Sequence, residues 1–274
     1  MGKLGLLIAL YLSVFAVYWQ VKGHQFILVD DHVHITENPR FQPVSLANLK
    51  ALWTKPHEGL YIPVTYTLWG GLVKLNERFY GSLKPVTFHL VNLFLHIANT
   101  WLVFANLLLL AFSPIAAFIG ALFFALHLAQ VESVAWISGF KDLLSTFFGL
   151  LSLWSFVSFS QNLKKSRYRL ATALFILALL SKPSAVALVL IVLGIELGLR
   201  HQSFKLTARR LVPWVLLTLA AAIHRRRCGG VLFRQGLGPF VFRCRLLANT
   251  PASVGSSLGL RGVDGLSHRF SPAT

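Results

Sequence analysis

The 274-residue chain is apolar and basic: 55% of its residues are hydrophobic, 13% are charged, the mean hydropathy is +0.64 and the net charge is +17. Soluble domains have about 25% charged residues, so this composition excludes a cytosolic enzyme, a disordered chain and a disulfide scaffold, and it predicts a polytopic helical membrane protein. The positive charge is typical of nucleic-acid-binding proteins, but much of it lies in short loops and a tail, so we expect no nucleic-acid partner.

The first predicted element is an apolar segment over residues 4–21. A cleaved signal peptide needs small residues near its cleavage site, where this chain has Tyr18 and Trp19. We therefore interpret the segment as an uncleaved signal anchor, the first membrane span.

A polar loop follows over residues 24–84, and it has five of the eight acidic residues that precede residue 224. Within it, residues 45–53 predict a short amphipathic helix with Ser45 as its N-cap. Residues 60–75 predict a re-entrant or interfacial segment. The region is the predicted first outer loop.

Further apolar segments predict additional membrane helices, which gives about 6–7 spans in a helical bundle. A span needs about 20 residues, so the shorter segments must include their flanks. The segments cover 86–111, 115–128, 143–159, 170–180 and 185–199, and a seventh begins at Leu211 and breaks at Ile223.

Basic residues in the short loops predict the orientation. The loops 164–169 and 200–210 are rich in Lys and Arg, which places both in the cytoplasm by the positive-inside rule. Counting spans back from them places the amino terminus in the cytoplasm and the 24–84 loop outside. Among the acids before residue 224, only Glu196 falls elsewhere, and we expect it to snorkel to the cytoplasmic interface.

Residues 224–274 differ from the rest of the chain. They have 8 basic and 1 acidic side chains, and every one of the basic residues is Arg, whereas all eleven lysines lie upstream. Such a composition is typical either of a disordered basic tail or of an out-of-frame translation. We favour the second hypothesis, because the basic run 224–227 interrupts an apolar helix. The two cysteines, Cys228 and Cys244, have no motif spacing and predict neither a disulfide nor a zinc site.

Candidate catalytic residues follow the first span. Asp30 and Asp31 are adjacent carboxylates that repel each other, so one should titrate upward, as suits a general base. The alternative is an ordinary solvated loop. The neighbouring residues His32 and His34 are of a type that binds metal ions. Two histidines without a further ligand cluster are a weak signal, so we predict no metal site.

The span 86–111 has a polar face formed by His89, Asn92, His96 and Asn99, at positions i, i+3, i+7 and i+10. Polar groups in a bilayer face protein or a water-filled cavity. They either mark a site or bind helices together, and both interpretations stay open for the two asparagines. The histidine nearest the outside, His89, is the better functional candidate.

The two later outer turns contain further charges. Glu132, Lys141 and Asp142 lie in one turn and Lys182 in the next. An adjacent Lys–Asp pair is usually a weak surface ion pair, yet cations that share a side with acids can bind an anionic phosphate. Because the chain has no phosphate-binding loop, the arrangement favours transfer from a lipid-borne donor.

Several motifs, in the same order, resemble a known family. They extend over residues 1–223 and occur at 29–39 (VDDHVHITENP), 61–65 (YIPVT), 88–99 (FHLVNLFLHIAN), 125–127 (ALH), 131–136 (VESVAW), 141–145 (KDLLS) and 181–183 (SKP). Together they resemble the membrane region of bacterial tetratricopeptide-repeat glycosyltransferase-like proteins. Those proteins are similar to the animal transmembrane and tetratricopeptide-repeat O-mannosyltransferases, which have the multi-span GT-C fold.

The resemblance implies a partial GT-C-like fold in the bacterial inner membrane. It also implies inverting transfer of a mannose-like sugar from a polyprenyl-phosphate donor to a hydroxyl of an acceptor protein at the exoplasmic face. Asp30 or Asp31 would be the first-loop acid that acts as base or orients the acceptor, and Glu132 would be the second-loop acid.

Charge and predicted side place Lys141 and Lys182, with His89, near the donor phosphate. The resemblance implies no cofactor beyond the donor substrate, leaves metal dependence open, and makes membrane lipid a further partner.

The chain departs from the family in two motifs and in its length. Leu128 replaces the proline that usually follows the histidine before the second-loop acid, and Phe140 replaces a basic residue before the Lys–Asp pair. The family's later spans and repeats are missing, so we expect a form truncated after about residue 223. The alternatives are a non-catalytic membrane protein that serves assembly or transport, or an inactive truncated product.

Overall fold

The computed structural model describes residues 2–27 and 30–227. Within that part of the chain the structure has ten α-helices and no strand, which confirms the predicted all-α membrane protein. The helices are α1 Lys3–Tyr18, α2 Leu46–Thr54, α3 Pro63–Tyr80, α4 Pro85–Leu109, α5 Pro114–Leu126, α6 Leu128–Ala135, α7 Phe140–Asn162, α8 Lys165–Ser181, α9 Ala187–Gly194 and α10 Phe204–Arg227. Short 3₁₀ or π segments lie at Trp19–Gly23, His32–Thr36, Ile137–Gly139, Pro183–Val186 and Ile195–Leu199.

Four helical segments in the described residues are long and apolar enough to cross a membrane: Lys3–Gly23, Pro85–Leu109, Ile137–Asn162 and Phe204–Arg226. The pair α5 and α6, bent by 57°, would make a fifth span. This is fewer than the 6–7 expected. The predicted span 170–180 lies in α8, whose first turns are charged, and the span 185–199 is a short apolar helix that passes from 3₁₀ to α to π geometry.

Local sequence signals explain where the loop helices begin and end. Ser45 is the N-cap of α2, as predicted, because its hydroxyl accepts a hydrogen bond from the Asn48 backbone N–H at 3.1 Å. Pro63 opens α3 at a position where its missing N–H costs nothing. Gly81 ends the same helix with φ of 66°, a left-handed conformation that favours glycine. The predicted interfacial segment is therefore a helix of five turns.

The last described helix, α10, continues past the predicted break at Ile223. Its final turn reaches Arg227, and the buried side chain of Arg225 donates a hydrogen bond through Nη2 to the Leu179 carbonyl of α8 at 2.7 Å. The basic run thus begins inside a packed helix. The rest of the predicted tail, residues 228–274, lies outside the described residues.

Two aromatic clusters stabilise the bundle. One contains Tyr66 and Trp69 of α3 together with Phe88 of α4, and all three side chains are fully buried. The other contains Phe175 of α8 and Trp214 of α10, whose rings stack with centroids 4.5 Å apart. Aromatic pairs of this kind contribute about 0.5–1.5 kcal/mol beyond their buried area.

Hydrogen bonds show which helix termini lie together. The Tyr18 hydroxyl at the end of α1 donates to the Ala125 carbonyl near the end of α5 at 3.2 Å, and Thr65 of α3 donates to the Ser181 carbonyl at the end of α8 at 2.9 Å. This end of the bundle, which contains Asp30, is called the Asp30 end. The opposite end, where α7 ends and α8 and α10 begin, is called the Glu196 end. The assignment of these ends to the two sides of the membrane stays a prediction.

Candidate functional site

The loop between α1 and α2 is joined to α7 by an ion pair. The Lys141 ammonium, in the first turn of α7, lies 3.2 Å from the Asp30 carboxylate. The side chain of Lys141 is 8% exposed and that of Asp30 is 32% exposed. The acid is therefore reachable from solvent, whereas its partner cation is almost enclosed.

A second ion pair lies beside the first. Asp142 of α7 pairs with Lys182, which caps the carboxyl end of α8 in an extended conformation just before Pro183. The adjacent residues Lys141 and Asp142 do not pair with each other, because successive residues of a helix point in different directions. Each of them pairs instead with a residue from another loop. The four residues Asp30, Lys141, Asp142 and Lys182 are called the ion-pair cluster.

Asp31 has a different environment from its neighbour. It is fully buried, and one carboxylate oxygen accepts hydrogen bonds from the Ser138 backbone N–H at 3.0 Å and hydroxyl at 2.6 Å. The other oxygen accepts from the Ile27 N–H at 2.9 Å. Burial raises the pKa of Asp31, these hydrogen bonds lower it, and repulsion from Asp30 is the smallest contribution. One carboxylate of the pair thus titrates upward, but the main cause is burial, and the group is not accessible as a base.

His32 and His34 contact different residues. His34 is buried, with its Nδ1 atom 3.0 Å from the Tyr66 hydroxyl and its ring stacked on Trp69. Burial lowers the pKa of His34 to about 4, with a further contribution from the positive charge of Lys141. His32 instead faces Glu37, with Nδ1 and Oε1 3.3 Å apart. No group of three potential metal ligands occurs within residues 2–27 and 30–227.

The polar face of α4 binds neighbouring helices. The Asn92 side chain donates to the Trp136 carbonyl at 2.8 Å, and the Asn99 side chain donates to the Leu143 carbonyl at 2.9 Å. His96 places Nε2 3.0 Å from the Ala125 carbonyl. The geometry of these three side chains is that of hydrogen bonding between helices rather than of a ligand site. Asn106, seven residues beyond Asn99 on the same face, extends the seam to α7 and was missed by the sequence analysis.

His89 differs from the rest of this face. Its side chain is 1% exposed, and its ring nitrogens interact with the backbone of His24 and Gln25 in the loop after the first helix, although neither forms a hydrogen bond of ideal geometry. The ring lies edge-on to His24, with centroids 5.7 Å apart. His89 thus joins α4 to the backbone that follows α1, near the Asp30 end.

Glu132 stands apart from the ion-pair cluster. It lies on α6, is exposed, and its carboxylate has no ion-pair or hydrogen-bond partner in the described part of the chain. The short helix α6 exists because the chain bends at His127, whose Nδ1 accepts a hydrogen bond from the Ala129 N–H at 3.1 Å. The structure thus places this acid at the Asp30 end without joining it to Asp30.

The expectation that Glu196 snorkels to the interface is wrong. Its side chain is 0% exposed and is bound by Arg200 at 3.1 Å and by Arg210 at 2.9 Å. The Ser160 hydroxyl donates a further hydrogen bond at 3.0 Å. The reason is that α10 brings a second arginine against the carboxylate, which satisfies it inside the protein.

Two residues of the candidate site were missed by the sequence analysis. Ser138 is fully buried and binds Asp31 through both its N–H and its hydroxyl. The Trp136 ring lies 5.6 Å from the Lys141 ammonium, within the range of a cation–π contact. A single serine has no recognisable pattern, whereas Trp136 was visible as the last residue of one of the family-like motifs.

The fold and the site define a helical integral membrane protein with paired acids and cations at one end of its bundle. The comparisons with known proteins add one relationship. The chain is 34% identical over 111 residues to the protein O-mannosyl-transferase Tmtc1 of Drosophila melanogaster. The match covers 40% of this chain and 13% of that protein. No family model and no solved structure matches.

This similarity supports a relationship to the O-mannosyltransferases and a glycosyltransferase-like role. The chain spans only a small part of the length of this relative. The GT-C fold, the bacterial inner membrane, the tetratricopeptide repeats and the amino-terminal orientation stay predictions.

Proposed function

We propose that the chain is part of a membrane glycosyltransferase. It would transfer a mannose-like sugar from a polyprenyl-phosphate donor to a hydroxyl of an acceptor protein at the exoplasmic face, within a GT-C-like fold. The observation that supports this most directly is the ion-pair cluster, in which acids and cations from three separate loops meet at one end of the bundle. The similarity to a protein O-mannosyl-transferase supports the class of reaction.

The proposed chemistry needs an acid that can accept a proton. The acceptor hydroxyl attacks the anomeric carbon from the side opposite the phosphate, a new carbon–oxygen bond forms, and the bond from the sugar to the phosphate oxygen breaks. The hydroxyl proton passes to the Asp30 carboxylate, whose side chain is 32% exposed. A positioned base of this kind contributes typically about 10²–10⁴-fold to the rate.

The departing polyprenyl phosphate needs positive charge. Lys141 and Lys182 each pair with a carboxylate in the structure. A phosphate group of the donor can replace that carboxylate as the partner of the lysine, or can bind the lysine together with it. Charge-assisted hydrogen bonds to a leaving group act most strongly where water is excluded, and both lysine side chains are nearly buried. His89, which lies in the first turns of α4 against His24, is the third proposed donor-side residue.

Asp31 and Glu132 have other roles in the proposal. Asp31 fixes the first outer loop to Ser138, and so positions Asp30 without contacting substrate. Glu132 is exposed and unpaired, as suits an acid that contacts the acceptor protein as it approaches the site. The proposal thus separates the acidic pair Asp30–Asp31 into a base and a positioning residue.

The test is a transfer assay with the full chain reconstituted in vesicles that contain polyprenyl-phosphate mannose, with an acceptor protein added. The D30N variant should lose about 10²–10⁴-fold in transfer rate. Its free energy of unfolding should fall by about 1–3 kcal/mol, because the Lys141 side chain, which is 8% exposed, loses its carboxylate partner. The matched control is E77Q, an exposed acid at the end of α3, which should transfer at the wild-type rate.

Retained transfer in D30N at normal expression would remove Asp30 from the mechanism. Absence of transfer by the wild-type chain, with donor and acceptor both present, would favour the alternative of a non-catalytic membrane protein. That alternative has one supporting observation, the α4 polar face, which is used for helix packing.

A further inference from the structure

An open surface pocket at the Glu196 end, called the cavity below, is separate from the ion-pair cluster. It has a volume of about 560 Å³ and is lined by Phe159 of α7 and by Lys165, Tyr168 and Arg169 of α8. Pockets for small ligands usually have volumes of about 300–1,000 Å³. The cavity lies where α7 ends and α8 begins, at the opposite end of the bundle from Asp30.

Two cations at the cavity lack protein partners. Lys165 and Arg169 are spaced i and i+4, so they lie on the same face of α8. Both are exposed, and neither side chain has an ion pair or hydrogen bond within the described residues. The acid of this end, Glu196, is already bound by Arg200 and Arg210 and cannot neutralise them. Their charge is therefore available to an anion.

The aromatic wall of the cavity is fixed by its own contacts. The rings of Phe159 and Tyr168 have centroids 5.1 Å apart. The Tyr168 hydroxyl donates to the Arg210 carbonyl at 2.7 Å, and the Arg210 guanidinium lies over the Phe159 ring at 5.3 Å. With its hydroxyl occupied, Tyr168 presents an apolar ring to the cavity. The wall suits a hydrocarbon chain rather than a polar ligand.

We propose that this cavity binds an anionic phospholipid of the surrounding bilayer. The phosphate would lie between Lys165 and Arg169, and the first part of an acyl chain would pack against Phe159 and Tyr168. An apolar wall beneath two unpaired cations matches an amphipathic anion, because each half of the site fits one half of the lipid. A free phosphate would use the cations alone and leave the apolar wall unfilled.

The test uses the full chain purified in detergent micelles. Dioleoylphosphatidylglycerol, dioleoylphosphatidylcholine or inorganic phosphate is added, and bound lipid is counted by native mass spectrometry while thermal unfolding is followed in parallel. We expect the wild-type protein to retain the anionic lipid in preference to the choline lipid. The anionic lipid should also raise the unfolding midpoint.

The K165Q/R169Q variant should bind the anionic lipid about 30-fold more weakly, because it lacks two cationic contacts. The matched control is K205Q/R209Q. Lys205 and Arg209 are also exposed, also spaced i and i+4, and located at the same end on α10, but they do not line the cavity. This control should change lipid retention by less than about threefold.

Equal losses in both double variants would overturn the proposal, because they would indicate general attraction to basic loops. Equal retention of the two lipids by the wild-type protein would also overturn it, and this comparison needs no variant to fold. If inorganic phosphate gave the same increase in the unfolding midpoint as the anionic lipid, the site would be a free-anion site instead.

Discussion

The two ends of the bundle use the same chemical groups in opposite ways. At the Asp30 end, carboxylates that are about one-third exposed pair with nearly buried lysines. At the Glu196 end, one carboxylate is 0% exposed and is held by two arginines and a serine. The first arrangement leaves acids open to solvent, whereas the second saturates its acid inside the protein.

The exposure of the carboxylate, more than the residue type, therefore distinguishes a candidate reactive acid from a structural one. A fully enclosed and fully bonded carboxylate cannot accept a proton from a substrate, but its loss leaves two partly buried arginines without their carboxylate partner. A partly exposed carboxylate is free to react, and its loss leaves one nearly buried lysine, rather than two arginines, without a carboxylate partner. Substitution of Asp30 should therefore lower mainly the transfer rate, whereas substitution of Glu196 should lower mainly the free energy of unfolding.

The largest expected change in stability comes from E196Q. Because Arg200 and Arg210 lose their only carboxylate partner among the described residues, we expect the free energy of unfolding to fall by about 3–5 kcal/mol. Chemical denaturation in detergent micelles measures the change. The control E132Q alters an exposed, unpaired acid and should stay within about 0.5 kcal/mol. Wild-type stability in E196Q would mean that the two ends do not differ as proposed.

A smaller effect should appear as a pH dependence at the Asp30 end. Burial lowers the pKa of His34 from 6.5 to about 4. Between these pH values the unfolded chain binds a proton that the folded chain does not, so stability should be lost as pH falls from 6.5 towards 4. The loss reaches up to about 3 kcal/mol.

The H34Q variant should lack most of this loss when unfolding is measured from pH 7 to pH 4. Asp31 acts with the opposite sign, because its raised pKa makes the folded chain hold a proton more firmly, and this contribution should be the same in both proteins. Identical pH profiles of wild type and H34Q would show that His34 is not the group that titrates.

The smallest of the three effects is expected for D31N. Both carboxylate oxygens of Asp31 accept hydrogen bonds, and an amide would place a donor against another donor. We expect a loss of about 1–3 kcal/mol in unfolding free energy.

The activity of D31N separates a positioning role from a catalytic one. If Asp31 only positions Asp30, the D31N variant should regain transfer activity when the assay temperature is lowered, whereas D30N should not. Equal, temperature-independent losses in both variants would give Asp31 a direct catalytic role.

The local features of the fold could be predicted from the sequence. The polar stripe of α4 and the Ser45 cap follow from spacing and residue type alone, because both are set by neighbours within one or two helical turns. The break between α5 and α6 was missed. It depends on His127 bonding to the next turn, a contact that composition does not reveal.

The candidate site could not be predicted in full, because it is formed by contacts between residues that lie far apart in the sequence. Asp30 meets Lys141 and Asp31 meets Ser138 across more than a hundred residues, so neither pairing has a periodic signal. The environment of Glu196 was wrongly predicted for the same reason. Arg200, one turn away, was a visible partner, but Arg210 belongs to the next helix, and its approach is what encloses the acid.

The central claim is that the Asp30 end faces the side of the membrane where a lipid-linked sugar is presented. The most direct measurement is labelling with a membrane-impermeant maleimide in intact cells, after Cys228 and Cys244 are replaced by serine. We predict that E132C is labelled in intact cells and that K205C is labelled only after permeabilisation. Labelling of both from the same side, or of K205C alone in intact cells, would contradict the account.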